Sequence, residues 1–177
     1  MNFIWTDELW NLVHILAPLM TTKEYTIFYD WITLLSQDDS AKLNWLSIHP
    51  LQDKTNIIKW MNEFHQFSYP KWKPNDVYYT KDRMIKDVWG PYIWKWLHRM
   101  SYQSSVLTQH SLKYIVQLLP CPVCKTHAPA YIKEHPFIDD MVKWTIEFHN
   151  HVSERLNKEY GTKKKIFTIK EAYTLYH

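Results

Sequence analysis

The chain is one unit written twice. Trp5, Trp10 and His14 recur 84 residues later as Trp89, Trp94 and His98, and the same shift carries Leu34-Leu35 onto Leu118-Leu119. It also carries Lys59-Trp60-x-x-Glu63-Phe64-His65 onto Lys143-Trp144-x-x-Glu147-Phe148-His149. Ten identities in one register, several of them Trp or His, require that both halves fold into the same supersecondary unit. The breaks at His49-Pro50 and His135-Pro136 correspond too, offset by two residues where loops vary. A residue before proline is pushed out of the α region, so both pairs end a helix.

That unit is helical. Only two glycines, Gly90 and Gly161, occur in 177 residues, which excludes a P-loop or a dinucleotide fingerprint and argues against hairpin-rich β structure. The expected class is all-α. Apolar periodicity places first-half helices at about 8–19, 23–35, 44–48 and 52–67, with Thr6 or Asp7 capping the first. Second-half helices are expected at 88–101, 107–119, 123–133 and 137–157, the last stopped by Gly161, with a short terminal helix at 168–176. Ser68 to Asp76 holds two prolines among polar residues and reads as linker. The expected organisation is a unit over 1–69, a linker over 70–86 and a second unit over 87–177.

Chemistry enters the second unit alone. Cys121 and Cys124, the only cysteines, lie in Leu-Leu-Pro-Cys-Pro-Val-Cys. Pro120 stops one helix and Pro122 suits the first turn of the next, so Cys121 falls just before a helix and Cys124 in its first turn. Amide protons and the positive dipole end there favour thiolate over thiol. Two cysteines at this spacing can close a short, reversible disulfide. The same spacing fits half of a zinc site, with His127 as a third ligand and another histidine as the fourth. A flavin-free dithiol reductase is disfavoured, since no βαβ pattern surrounds the pair. In the repeat register the first unit has Gln37 and Ser40 at these places. It is a copy without thiols.

A net charge of +3 is too weak to imply nucleic acid. No apolar run approaches the ~20 residues that span a bilayer, and no basic cluster precedes an apolar stretch near Met1, so the expectation is an intracellular protein with no signal peptide or membrane segment.

In the second unit Trp94, Leu97 and His98 stand as Trp-x-x-Leu-His, and the CxxC follows Leu-Pro. His149, Asn150, Val152, Ser153, Leu156 and Lys158 lie together on a later helix. This combination, from about Trp89 to Tyr176, resembles the Erv/ALR family of sulfhydryl oxidases. Tyr102 sits where that family often has an aromatic. Ser153 stands in place of its usual Asn, Asn157 of a common Gly and Glu159 of a common Pro. The cysteine-free copy resembles the pseudo-dimeric members, of quiescin type or from large insect DNA viruses.

The resemblance implies four core helices plus a short fifth, with FAD held non-covalently at the bundle's mouth. It implies an FAD-dependent thiol oxidase that joins protein thiols into disulfides and reduces O2 to H2O2. Cys121 and Cys124 would be the redox pair, with Cys124 against the flavin and Cys121 meeting substrate. Trp94, His98, Tyr102, Cys124, His149, Asn150, Val152, Ser153, Leu156 and Lys158 would line the cofactor, and no metal site is expected. Histidines, aromatic faces and amide side chains can grip a large flat cofactor without a Gly-rich loop. The family's frequent second cysteine pair is missing, so electrons would come directly from protein thiols or from a separate dithiol carrier. The first unit would complete an intrachain pseudo-dimer, with further homo-oligomerisation left open. The viral likeness extends the expected setting to the host cell or the virion.

Overall fold

The computed structural model describes residues 4–74 and 86–176. Among these there are nine α-helices and no strand. The first half contains α1 (Asp7–Leu16), α2 (Tyr25–Leu35), α3 (Ser40–Ile48) and α4 (Ile57–Ser68). The second contains α5 (Lys86–Gln103), α6 (Ser105–Leu118), α7 (Pro122–Glu134), α8 (Met141–Tyr160) and α9 (Ile169–Tyr176). Most of the expected linker, residues 75–85, lies outside the described residues.

Local chemistry accounts for the helix ends. Thr6 Oγ1 accepts from Leu9 N, which fixes the start of α1, and Pro18 turns its end into a short 3-10 segment at Ala17–Leu19. Asp39 caps α3 by accepting from Lys42 N at 3.0 Å, so this helix begins four residues before its expected start. The stretch from 52 to 56 does not join α4; only a 3-10 turn at Lys54–Asn56 precedes it. Asp140 caps α8 by accepting from Lys143 N, which moves that start from 137 to Met141. Gly161 ends α8 with a φ of 63°, a left-handed value that a side chain would strain.

The repeat is visible in its smallest devices. Trp60 Nε1 donates to the His49 carbonyl at 2.7 Å, and Trp144 Nε1 donates to the His135 carbonyl at 3.0 Å. Each indole thus closes the His-Pro break of its own half. Capping geometry moves one correspondence. Cys121 is the N-cap of α7 and accepts from Cys124 N, as Asp39 does from Lys42 N in α3. By position at the helix start, Asp39 and Lys42 answer to the two cysteines, two residues later than the register over Gln37 and Ser40, because the α2–α3 turn is longer. Lys42 Nζ also pairs with Asp39. A fixed charge pair stands where the second half has its thiols.

The halves meet through like helices: α1 packs on α5 and α2 on α6. One apolar core runs from Trp5 through both halves to Phe148. At its centre Trp31 and Trp96, 0% and 1% exposed, meet edge to face with centroids 5.6 Å apart. Burying each such side chain contributes about 1.5–3 kcal/mol, and the edge-to-face pair adds about 0.5–1.5. Polar links flank it. Glu8 reaches Lys95 at 2.8 Å and Arg99 at 3.0 Å, and Glu24 pairs with Lys125. Exposed ion pairs are worth about 0–1 kcal/mol each, so apolar burial dominates the junction. A second small cluster, Val142, Ile146 and Ala172, joins α8 to α9 with Tyr102 and Phe167 against it.

Candidate functional site

Helix α7 starts on the redox pair. Cys121 and Cys124 are joined in a disulfide with Cα atoms 5.2 Å apart, and both are half-buried against the main core. Cys121 Sγ accepts from Cys124 N at 3.2 Å. On opening the bond, that amide and the helix N-terminus stabilise negative charge on Cys121. Lys125, the next residue after Cys124, reaches across to Glu24 of the first half. Burial pushes the Glu24 carboxyl up, but Lys125 and the Thr21 amide outweigh it and hold it below the usual carboxylate range. The first half therefore touches the redox helix directly. Val123, between the cysteines, is 43% exposed.

Helices α5 and α8 supply an aromatic cluster. Trp94 and His98 lie one turn apart on α5, and His149 comes from the facing stretch of α8. The Trp94 and His149 rings stack at 4.2 Å and 9°, and His98 Nε2 meets His149 Nδ1 at 3.0 Å. Behind His98, Thr145 Oγ1 lies 3.3 Å from Nδ1 and 3.3 Å from Ser101 Oγ. Two neutral imidazoles in contact share one proton; a second would set two donors against each other. Burial and then His149 bring His98 down to about 3, and burial and then Lys164 bring His149 to about 4.

The first half repeats this cluster. His14 Nε2 meets His65 Nδ1 at 2.8 Å, and Trp10 stacks on His65 at 3.8 Å and 3°. Burial brings His14 to about 4, and burial and then His14 bring His65 to about 3. Depressed values mean that the unfolded chain binds more protons between about pH 3 and 6.5, so this stability is full above 6.5 and lost as pH falls. We expect the thermal midpoint to be flat from about pH 8 to 7 and to drop by pH 5, with His14 and His98 each contributing about 1–2 kcal/mol of that loss. A midpoint unchanged down to about pH 5 would mean these rings are charged in the fold.

The other expected residues separate into groups. Asn150 is held by the backbone of Phe167, donating to its carbonyl and accepting from its amide, both at 2.8 Å. Two turns on, Asn157 donates to the Lys164 carbonyl and accepts from its amide. These two amides lay the 162–167 segment along α8 and bring Phe167 to 5.4 Å from His149. Ser153 is buried between them, Val152 packs on the main core and Leu156 is half-buried. Lys158 is exposed near the end of α8. Tyr102 stands apart, edge-on to Tyr173 at 4.9 Å, with burial and then Tyr173 raising its hydroxyl to about 12. Thr145 and Phe167 were not expected at the site; Thr145 lies one turn before His149, a spacing that could have marked it. His127 is exposed, and no three His, Cys, Asp or Glu among the described residues come together to hold a metal ion.

A flat cofactor fits the second cluster. Trp94 and His149 are half-buried, whereas Trp10 and His65 are 3% and 4% exposed. Two indoles add cover in the first half: Trp5 lies 4.5 Å from Trp10, and Trp72 stacks on His65 at 4.0 Å and 23°. Among the described residues, only Phe167 lies over His149, more distant and tilted by 40°. The Trp-His stack takes a second face-to-face aromatic plane in the first half, and among the described residues its counterpart in the second half has none. Aromatic faces, neutral imidazoles and Lys164 beside His149 make a donor set suited to an aromatic ring carrying phosphates.

Comparison with known proteins agrees with this chemistry. The model of the Erv1/Alr family matches residues 91–174, a span that holds both cysteines and the Trp94–His98–His149 cluster. An FAD-linked sulfhydryl oxidase of African swine fever virus is 34% identical over 83 residues, covering 40% of this chain and 70% of that protein. A probable FAD-linked sulfhydryl oxidase of Acanthamoeba polyphaga mimivirus is 29% identical over 104 residues, 50% of this chain and 68% of that protein. No solved structure matches.

Proposed function

The chain belongs to the Erv1/Alr family, and from that premise we infer that it is an FAD-linked sulfhydryl oxidase. Two thiols and O2 give one disulfide and H2O2. The observation that carries this reading is the closed Cys121–Cys124 pair at the start of α7, in the same half as the open Trp94–His149 stack.

A substrate thiolate attacks Cys121 Sγ, the Cys121–Cys124 bond breaks, and Cys124 leaves as thiolate. A second substrate thiolate attacks the mixed disulfide, releasing the oxidised substrate and leaving both cysteines reduced. Bound FAD would supply the two-electron acceptor, with O2 as the final oxidant. Trp94 and His149 would hold its ring, with His98 keeping His149 neutral and in place, and Lys164 and Lys158 would take its phosphates. Asn150 acts through the backbone it fixes, by keeping the 162–167 segment beside His149. Val152, Ser153 and Leu156 would shape the walls, and Tyr102 supports them from the α8–α9 cluster. With no further cysteine, electrons come from protein thiols directly or from a separate dithiol carrier.

The first half takes the place of a second subunit, so the chain is a pseudo-dimer with one cofactor. The pairing of α1 with α5 and α2 with α6 supports this. The viral relatives support a viral protein acting in the host cell or the virion.

The purified chain should be yellow, with flavin absorbance equal to one FAD per chain and thiol-dependent H2O2 release. His149→Ala should cost at least about tenfold in FAD affinity, since it removes one face of the stack. His65→Ala, its counterpart in the first half, should leave affinity within about twofold and serves as the control for lost packing. Equal loss in both variants would overturn the assignment of the cofactor to the second half.

A further inference from the structure

The Trp10–His65 stack reproduces the Trp94–His149 stack, down to the imidazole pair behind it. What differs is the cover. Trp72 lies on His65 at 4.0 Å and on His14 at 5.2 Å, tilted 23° and 19°, so one indole roofs both histidines. His65 is sandwiched between two indoles. Trp72 comes from the segment after α4, held by its own amide donating to the Tyr69 carbonyl at 2.8 Å, and it remains half-buried. Among the described residues no equivalent roof lies over His149, where Phe167 is tilted by 40° at 5.4 Å.

We propose that the first half retains a binding site for a flat heteroaromatic ring of the flavin class, and that Trp72 occupies it as a built-in stand-in for the ligand. The inference rests on the flavin reading of the second half, since the first cluster is read as its equivalent. Two features of the indole make it a competitor rather than ordinary packing. It stacks face to face on the ring that, in the other half, is left open to a cofactor. It is also attached by a short segment beyond the helix that carries His65, so it competes as an intramolecular ligand at high effective concentration. The Asp39–Lys42 charge pair occupies the helix start that carries the thiols in the second half. A flavin admitted to the first half would therefore bind without being reduced. Trp72 keeps a dead-end site closed and holds the stoichiometry at one.

The test uses the full chain. Wild type, W72G and W72F are equilibrated with excess FAD, passed over a desalting column, and read for flavin absorbance per chain. W72G should rise from one bound FAD to two, with the added half remaining oxidised when dithiothreitol bleaches the first. W72F keeps a planar roof and should stay at one. W72G that is folded and still binds a single FAD overturns the proposal. Wild type that binds none overturns the flavin reading instead, and only a gain in W72G over wild type would then preserve a site in the first half. If W72G loses its fold, refolding it with millimolar indole or riboflavin decides the matter: recovery of the helical signal with these flat rings supports the site, because ligands of the native state stabilise it. No recovery with either overturns it.

Discussion

Cys124→Ser is expected to abolish turnover, on the order of a thousandfold or more, and to stop dithiothreitol from bleaching the flavin band while FAD stays bound. Serine keeps the volume of cysteine but can neither close nor reopen the bond to Cys121. The side chain sits in the first turn of α7, packed against the core, with its amide donating to Cys121 Sγ. That amide remains in the variant, so the helix start is preserved. The two cysteines are three positions apart, and a ring this small adds little to stability beside one that closes a long loop. Loss of activity therefore should not come with loss of fold. Anaerobic stopped-flow mixing with dithiothreitol is the measurement; bleaching at the wild-type rate would remove Cys124 from the electron path.

Trp31→Ala is expected to destabilise the whole chain by about 3–5 kcal/mol. Trp31 belongs to the half without thiols, yet its ring is fully buried against Trp96 on α5. Truncation leaves a hole at the junction that rigid neighbouring helices can only partly close. For a chain of this size the thermal midpoint should fall by roughly 6–20 °C. Bound flavin should be released in the same transition, because the core that supports α5 is the one being opened. Val106→Ala, 61% exposed on α6, is the control and should change little. A shift below about 3 °C for Trp31→Ala, or flavin release in a separate step, would mean the halves are independent.

The repeat, the helical class and the cluster of Trp94, His98 and His149 were legible because they rest on spacing. Residues one turn apart share a face, and identical residues in one register share a fold. The Thr6 cap and the Gly161 stop were legible because each acts within four residues. The early start of α3 was not, since Leu46 is its only buried residue and leaves little apolar pattern to follow. Trp72 was hidden for a different reason. Pro70 and Pro74 around it read as linker, and nothing local tells that an indole there will fold back on two histidines. Asn150 is expected as a cofactor contact because its side chain can donate and accept; that it also holds the Phe167 backbone depends on a segment 17 residues away, which no local pattern gives.

The bridge from Glu8 to Lys95 and Arg99 has a meaning that its small energy conceals. Two identical subunits around a two-fold axis would make every such contact twice. Here the bridge is made once. The repeat places Tyr92 opposite Asn11 and Ile15 where a mirror-image bridge would have to be, and those residues carry no charges to form it. Two second halves meeting by themselves would set Lys95 and Arg99 of each against an uncharged Tyr92. Two first halves would bury Glu8 against Asn11 and Ile15. Only unlike halves satisfy the carboxylate, so this surface favours the pairing of the two halves over the pairing of either with its own likeness.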